Sequence, residues 1–167
     1  MTNNLHIEQY TQEHKGACTE LFFKVYSAPP FDFDWLDSDK ASGYLTDLEN
    51  TPNSLSFVLK ENDTVIGVCL GQKEQHFLSS GYKINELFIE PDHQHQGLGS
   101  QFLDEVENKL RELNIDTINL LTQRHMDSFI FYQKHDFIPS EETVHMTKVI
   151  RPESPVIYAR TFVSAED

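Results

Sequence analysis

The stretch from Glu86 to Thr122 constrains the fold more than any other part of the chain. Leu87-Phe88-Ile89 reads as the end of a strand that Pro91-Asp92 closes. Gly97 then opens an amphipathic helix. Leu98, Phe102, Leu103, Val106, Leu110 and Leu113 fall on one face, and Gln101, Glu105, Asn108 and Glu112 on the other. Thr117 to Thr122 is again an apolar strand. Two strands that flank a helix pair in parallel through a crossover, which calls for a sheet with helices on its faces.

The rest of the chain supplies partners for that unit. Leu5 to Tyr10 alternates like a short strand. Thr11 caps a helix carrying Ala17, Leu21, Phe22 and Val25, and Pro29-Pro30 stops it. A second helix is expected over Lys40 to Glu49. Strands follow at Leu55 to Lys60 and Thr64 to Gln72, joined by a hairpin at Glu61-Asn62-Asp63. Ser79-Ser80-Gly81 reads as a turn before the strand Tyr82 to Glu90. Asp127 to His135 is a short helix. Phe137 to Pro139 and Thr143 to Ile150 are expected to close the sheet, and the tail 151–167 holds one more strand pattern at Val156 to Val163. The expectation is one domain over residues 1–167, with its core at about 3–150. Its class is α+β: a mixed, mostly antiparallel sheet of about seven strands flanked by about four helices.

Composition excludes several functions. The formal net charge of −14 argues against nucleic acid, whose phosphates need Lys and Arg patches, and favours a cationic partner. No apolar run approaches the roughly 20 residues of a membrane-spanning helix. The N-terminus lacks the pattern of a signal peptide, so the expected location is the cytoplasm. Cys18 and Cys69 have no metal-ligand spacing and read as free thiols. His93-x-His95 is two ligands short of a structural zinc site, so no metal is expected.

The loop before the long helix is suited to an anion. A helix start leaves backbone N–H groups unpaired and adds the positive end of the dipole. Gly97 and Gly99 let a pyrophosphate approach the backbone. The loop is neither a P-loop nor a dinucleotide fingerprint. Gln94-x-x-Gly97-x-Gly99 resembles the Q/R-x-x-G-x-G/A motif of the GNAT acetyltransferase superfamily. Downstream, Phe131-Tyr132-Gln133-Lys134-His135-Asp136-Phe137 is similar to that family's F-Y-x-K-x-G-F. The resemblance covers about residues 3–150 and is most specific over 84–137.

The resemblance implies acetyl-CoA as acetyl donor, with the pantetheine arm on the backbone of Leu87, Phe88 and Ile89. It implies a cofactor loop of Gln94, His95, Gln96, Gly97, Leu98, Gly99 and Ser100, with the pyrophosphate on the N–H groups of Gln96 to Ser100. His95 stands where the family commonly has glycine. His125 replaces a common Asn near the cofactor, Ser128 a frequent Ala, and Asp136 a glycine.

Two side chains are candidates for the chemistry. Glu86, on a strand of period two, is expected to share a face with Ile84 and Phe88. A carboxylate between apolar neighbours is raised toward the pKa of a useful base. Tyr132 matches the family's common general acid, which protonates the leaving thiolate. Phe31-Asp32-Phe33-Asp34-Trp35 alternates aromatic and acidic residues, a composition that suits an ammonium group. The expected activity is direct acetyl transfer to a primary amine of a cationic acceptor: an aminoglycoside, a polyamine, or a peptide or protein amine. A non-catalytic acyl-CoA sensor on the same fold is the alternative. A homodimer through the last strands is compatible with the sequence.

Overall fold

A computed structural model describes residues 4–31 and 37–151. Their elements run β1 (Leu5–Gln9), α1 (Lys15–Tyr26), α2 (Ser38–Glu49), β2 (Phe57–Glu61), β3 (Thr64–Gln75), β4 (Ser80–Ile89), α3 (Leu98–Glu112), β5 (Thr117–Leu120) and α4 (Asp127–Lys134). Short 3-10 turns at Gln12–His14 and Pro91–His93 lead out of β1 and β4. The residues form two compact units, divided between Met126 and Asp127.

In the first unit the strands stand in the order β1-β2-β3-β4-β5. The first three pairings are antiparallel, and β4 pairs with β5 in parallel through α3, as the strand-helix-strand pattern requires. Among the described residues five strands form, where about seven were expected over the whole chain. Residues 137–139 and 143–150 make no strand, and Val144, Met146 and Ile150 are exposed. Alternation alone does not make a strand; its backbone must also find an edge to bond. The tail pattern at Val156 to Val163 lies outside the described residues.

One face of the sheet is covered by α1 and α2. Cys18, Leu21, Phe22 and Val25 pack with Ala41 and Leu45 on Val58, Val68, Leu70 and Phe88. Asp37 caps α2 by accepting a bond from the Lys40 N–H at 2.8 Å. On α3, Phe102, Leu103, Val106 and Leu110 are buried, on the apolar stripe read from the sequence. A Cβ at Gly67 of β3 would stand 3.3 Å from Phe102, so the bare backbone there lets α3 come close.

Two local expectations shift. The β3–β4 turn falls at His76–Ser79, closed by His76 N–H on the Ser79 carbonyl at 2.9 Å, while Ser80 and Gly81 belong to β4. Ser80 is drawn into the strand because Asp116 accepts its N–H at 2.7 Å. The register between β3 and β4 also slips: Leu70 faces Glu86, but Gly71 faces Ile84. Asn85 is the extra residue, a β-bulge.

Candidate functional site

The bulge decides where Glu86 points. Tyr82 packs on Phe57 and places its hydroxyl 3.7 Å from the Cys69 sulfur; Ile84, two residues on, shares that face. Beyond Asn85 the alternation is reset. Glu86 stands opposite Leu70, on the same side as Phe88, and meets α1 and α2. The expected shared face therefore holds for Phe88 and fails for Ile84. The reason is the inserted residue, which no period-two reading contains.

Each oxygen of the Glu86 carboxylate accepts one phenol. Tyr26 of α1 donates to Oε2, and Tyr44 of α2 donates to Oε1 at 2.6 Å. Burial pushes the Glu86 carboxyl above the usual carboxylate range, while both hydroxyls pull it back down. The surroundings are aromatic. Phe22 lies 4.5 Å from Tyr26, 5.5 Å from Tyr44 and 5.7 Å from Phe88 between ring centroids, and Tyr26 lies 4.7 Å from Phe31. Of the predicted acceptor segment, Phe31 thus joins the group that holds Glu86; Asp32, Phe33, Asp34 and Trp35 lie outside the described residues. Tyr26 and Tyr44 are site residues that the sequence reading missed. Its one available signal was the placement of Tyr26 four residues after Phe22 on the apolar face of α1.

The second part of the site follows along β4. Pairing with β5 runs only from Gly81 opposite Thr117 to Ile84 opposite Leu120. Leu87, Phe88 and Ile89 continue past that point, bonded to β3, with no further strand beside them among the described residues. This is an open sheet edge, able to take an extended amide-bearing chain.

The loop at the end of β4 is braced from three sides. The Gln94 amide donates to the Ile89 carbonyl at 2.9 Å, and the Gln96 amide to the Asp92 carbonyl at 2.9 Å. Glu90 accepts from Lys24 and from His93 Nδ1 at 2.6 Å, and His93 Nε2 lies 3.5 Å from Glu61. These carboxylates hold the His93 imidazole above its ordinary pKa. His93 is thus engaged in ion pairs, and among the described residues no group of three or more His, Cys, Asp or Glu is placed to hold a metal.

Gly97 takes the left-handed conformation, φ 81°, immediately before α3, and the first helical bond runs from Gln101 N–H to its carbonyl. The N–H groups of Leu98 and Gly99 precede that bond. The first turn of α3 carries no acidic side chain, although the chain as a whole has a net charge of −14. A left-handed glycine, a helix start and a local absence of acid fit a pyrophosphate. His95 also has a positive φ, 59°, where the related motif commonly has glycine. His125 sits in an exposed turn at the end of the first unit.

In the second unit, Tyr132 packs its ring on Phe131 and Phe137, both at 5.2 Å between centroids. Ser128 is in the first turn of α4. Asp136 ends that helix at φ 63°, with Phe137 N–H bonded back to the Tyr132 carbonyl at 3.1 Å. The position that favours glycine is thus filled by a residue that tolerates it.

Cys18 and Cys69 are buried, and burial pushes both thiols up to about 12. Thiols so protonated are poor nucleophiles.

Residues 12–137 match the family model described as Acetyltransferase (GNAT) family. The chain belongs to the GNAT acetyltransferase family. No curated protein matches it in sequence. Solved structures with the same fold include a possible acetyltransferase from Clostridium difficile, 12% identical at a TM-score of 0.73, with 88% of this chain and 99% of that one covered. A second is an aminoglycoside acetyltransferase from an uncultured soil metagenomic sample, in complex with sisomicin; it is 18% identical at a TM-score of 0.67, with coverage of 88% and 97%. A third is a ribosomal-protein-alanine N-acetyltransferase from Brucella melitensis, 10% identical at a TM-score of 0.68, with coverage of 87% and 99%. Members of the family generally use acetyl-CoA. Among the described residues no helix is long and apolar enough to cross a membrane.

Proposed function

We infer that the chain transfers an acetyl group from acetyl-CoA directly to a primary amine of a cationic acceptor. The observation that carries this reading is Glu86, a carboxylate drawn into an aromatic group and held there by two hydroxyls. Acetyl-CoA supplies the activated thioester. Gln94 to Ser100 would hold its pyrophosphate, with His125 and Ser128 as further contacts, and the edge at Leu87 to Ile89 would hold its pantetheine arm.

Glu86 takes the proton of the attacking amine, so that the nitrogen lone pair is free to bond the acetyl carbon. As the carbon–sulfur bond breaks, Tyr132 gives its phenolic proton to the departing thiolate, and the second proton lost by the acetylated nitrogen restores the phenol. The net products are an N-acetyl amine and the free CoA thiol. The protonated state of both cysteines favours direct transfer over a cysteine-bound acetyl intermediate. A cationic acceptor is supported by the net charge, by the aromatic residues around Glu86 and by the aminoglycoside acetyltransferase among the structures of like fold.

The test is release of CoA thiol from acetyl-CoA with a panel of spermidine, sisomicin and amino-terminal peptides, with the acetylated product identified by mass. An acetylated amine establishes the reading and names the acceptor class. Acetyl-CoA binding without acetylation of any cationic amine would instead favour a sensor.

A further inference from the structure

We propose that Tyr26 and Tyr44 are positioning residues that fix the Glu86 carboxylate, one hydroxyl on each oxygen, so that the site takes its acceptor as an ammonium ion. The inference rests on Glu86 being the acceptor-side base.

Glu86 differs from the other partly buried carboxylates of the first unit. Glu8 has Lys60 at 3.3 Å, Glu49 has Lys15 at 3.3 Å, and Glu90 has Lys24. Among the described residues Glu86 has only phenols as hydrogen-bond partners, and no basic side chain pairs with it. A phenol donor stabilises an anion without cancelling its charge. When ionised, the carboxylate thus has no cation to neutralise it among the described residues, in a desolvated place where attraction to a cation is stronger than in water.

Hydrogen-bond capacity points the same way. A carboxylate oxygen accepts about two bonds. One on each oxygen is used, which leaves each able to accept an N–H from a bound ammonium group. The rings of Phe22, Tyr26, Phe31, Tyr44 and Phe88 form one contiguous group, and aromatic faces attract cations. Tyr44 is 40% exposed and forms the rim. Among the described residues, the groups facing Glu86 are Tyr26 from α1, Tyr44 from α2 and the uncharged Leu70 from β3; its neighbours Asn85 and Leu87 are also uncharged. Burial raises the carboxyl and the two phenols oppose that rise. A neutral hydroxyl acceptor would gain little from such a site.

Carbon-13 titration of the Glu86 carboxyl tests this in the full chain. The resonance is assigned by its disappearance in Glu86→Gln. Tyr26→Phe and Tyr44→Phe each remove a donor to the anion, so each raises the Glu86 midpoint. Each also weakens the saturable shift induced by spermidine by about tenfold, the order expected for a lost bond to a charged group. Uncharged 1,4-butanediol at equal ionic strength produces no such shift. Unchanged acetyl-CoA affinity shows that the variants are folded. Midpoints that stay at the wild-type value in both variants, or spermidine and butanediol acting alike, overturn the proposal. Turnover of Glu86→Gln separates the two readings. If it is lost while the tyrosine variants behave as wild type, the base stands and this proposal falls. If Glu86→Gln turns over normally, both fall.

Discussion

At the scale of single residues, the site sets stability against chemistry. The folded state holds Glu86 above its ordinary pKa, so the native protein binds that proton more tightly than the unfolded chain does. The associated stabilisation is present at low pH and is lost as pH rises through the raised value. Glu86→Gln should therefore gain stability relative to wild type with increasing pH, as measured by denaturant unfolding over a pH series. Its turnover should nevertheless fall at least about tenfold, and the acidic limb of kcat/KM should disappear with the titrating group. Tyr132→Phe should lower kcat while leaving acetyl-CoA affinity unchanged, since the ring that packs on Phe131 and Phe137 remains. Full activity in that variant would remove the phenol from the mechanism. Glu86 could be singled out in the sequence because it is the one acidic residue of its strand. Tyr26 and Tyr44 were not, because they approach it from 60 and 42 residues away in the chain. Nothing local marks such a contact.

At the scale of elements, the helix start before α3 is a backbone device. No atom lies within 4 Å of a Cβ added at Gly97, so a side chain there has room. The obstacle is the left-handed φ of 81°. Gly97→Ala should cost about 1–2 kcal/mol from backbone strain, a fall of about 2–8 °C in Tm for a chain of this size. It should also weaken acetyl-CoA binding by calorimetry; unchanged affinity would show that the helix start does not hold the pyrophosphate. Helix α3 was readable because its 3.6-residue period is written in consecutive residues, with Phe102, Leu103, Val106 and Leu110 all buried as the stripe requires. The parallel pairing of β4 with β5 was readable from element order. The strands expected at 137–139 and 143–150 were misread for the converse reason. Alternation describes which faces a segment could present, and pairing depends on an edge elsewhere in the molecule.

At the scale of the whole molecule, acetyl-CoA should act as a folding ligand. At about a hundred times its dissociation constant it adds about 2.7 kcal/mol, a Tm rise of about 5–10 °C. Thermal unfolding with acetyl-CoA, with ATP as control, measures this, and a Tm that does not move at millimolar acetyl-CoA would count against the cofactor site. The order of the elements as far as α4 and their class were legible from one sequence, because each follows from periods and breaks along the chain. The face on which the candidate base would work was not, because it turns on one inserted residue opposite the junction of Leu70 and Gly71. That insertion has a consequence for descent. Asn85 is constrained in number and hardly in kind, since its office is to occupy a place in the count. A lineage that lost it would turn Glu86 toward the layer beneath α3, away from the hydroxyls of Tyr26 and Tyr44.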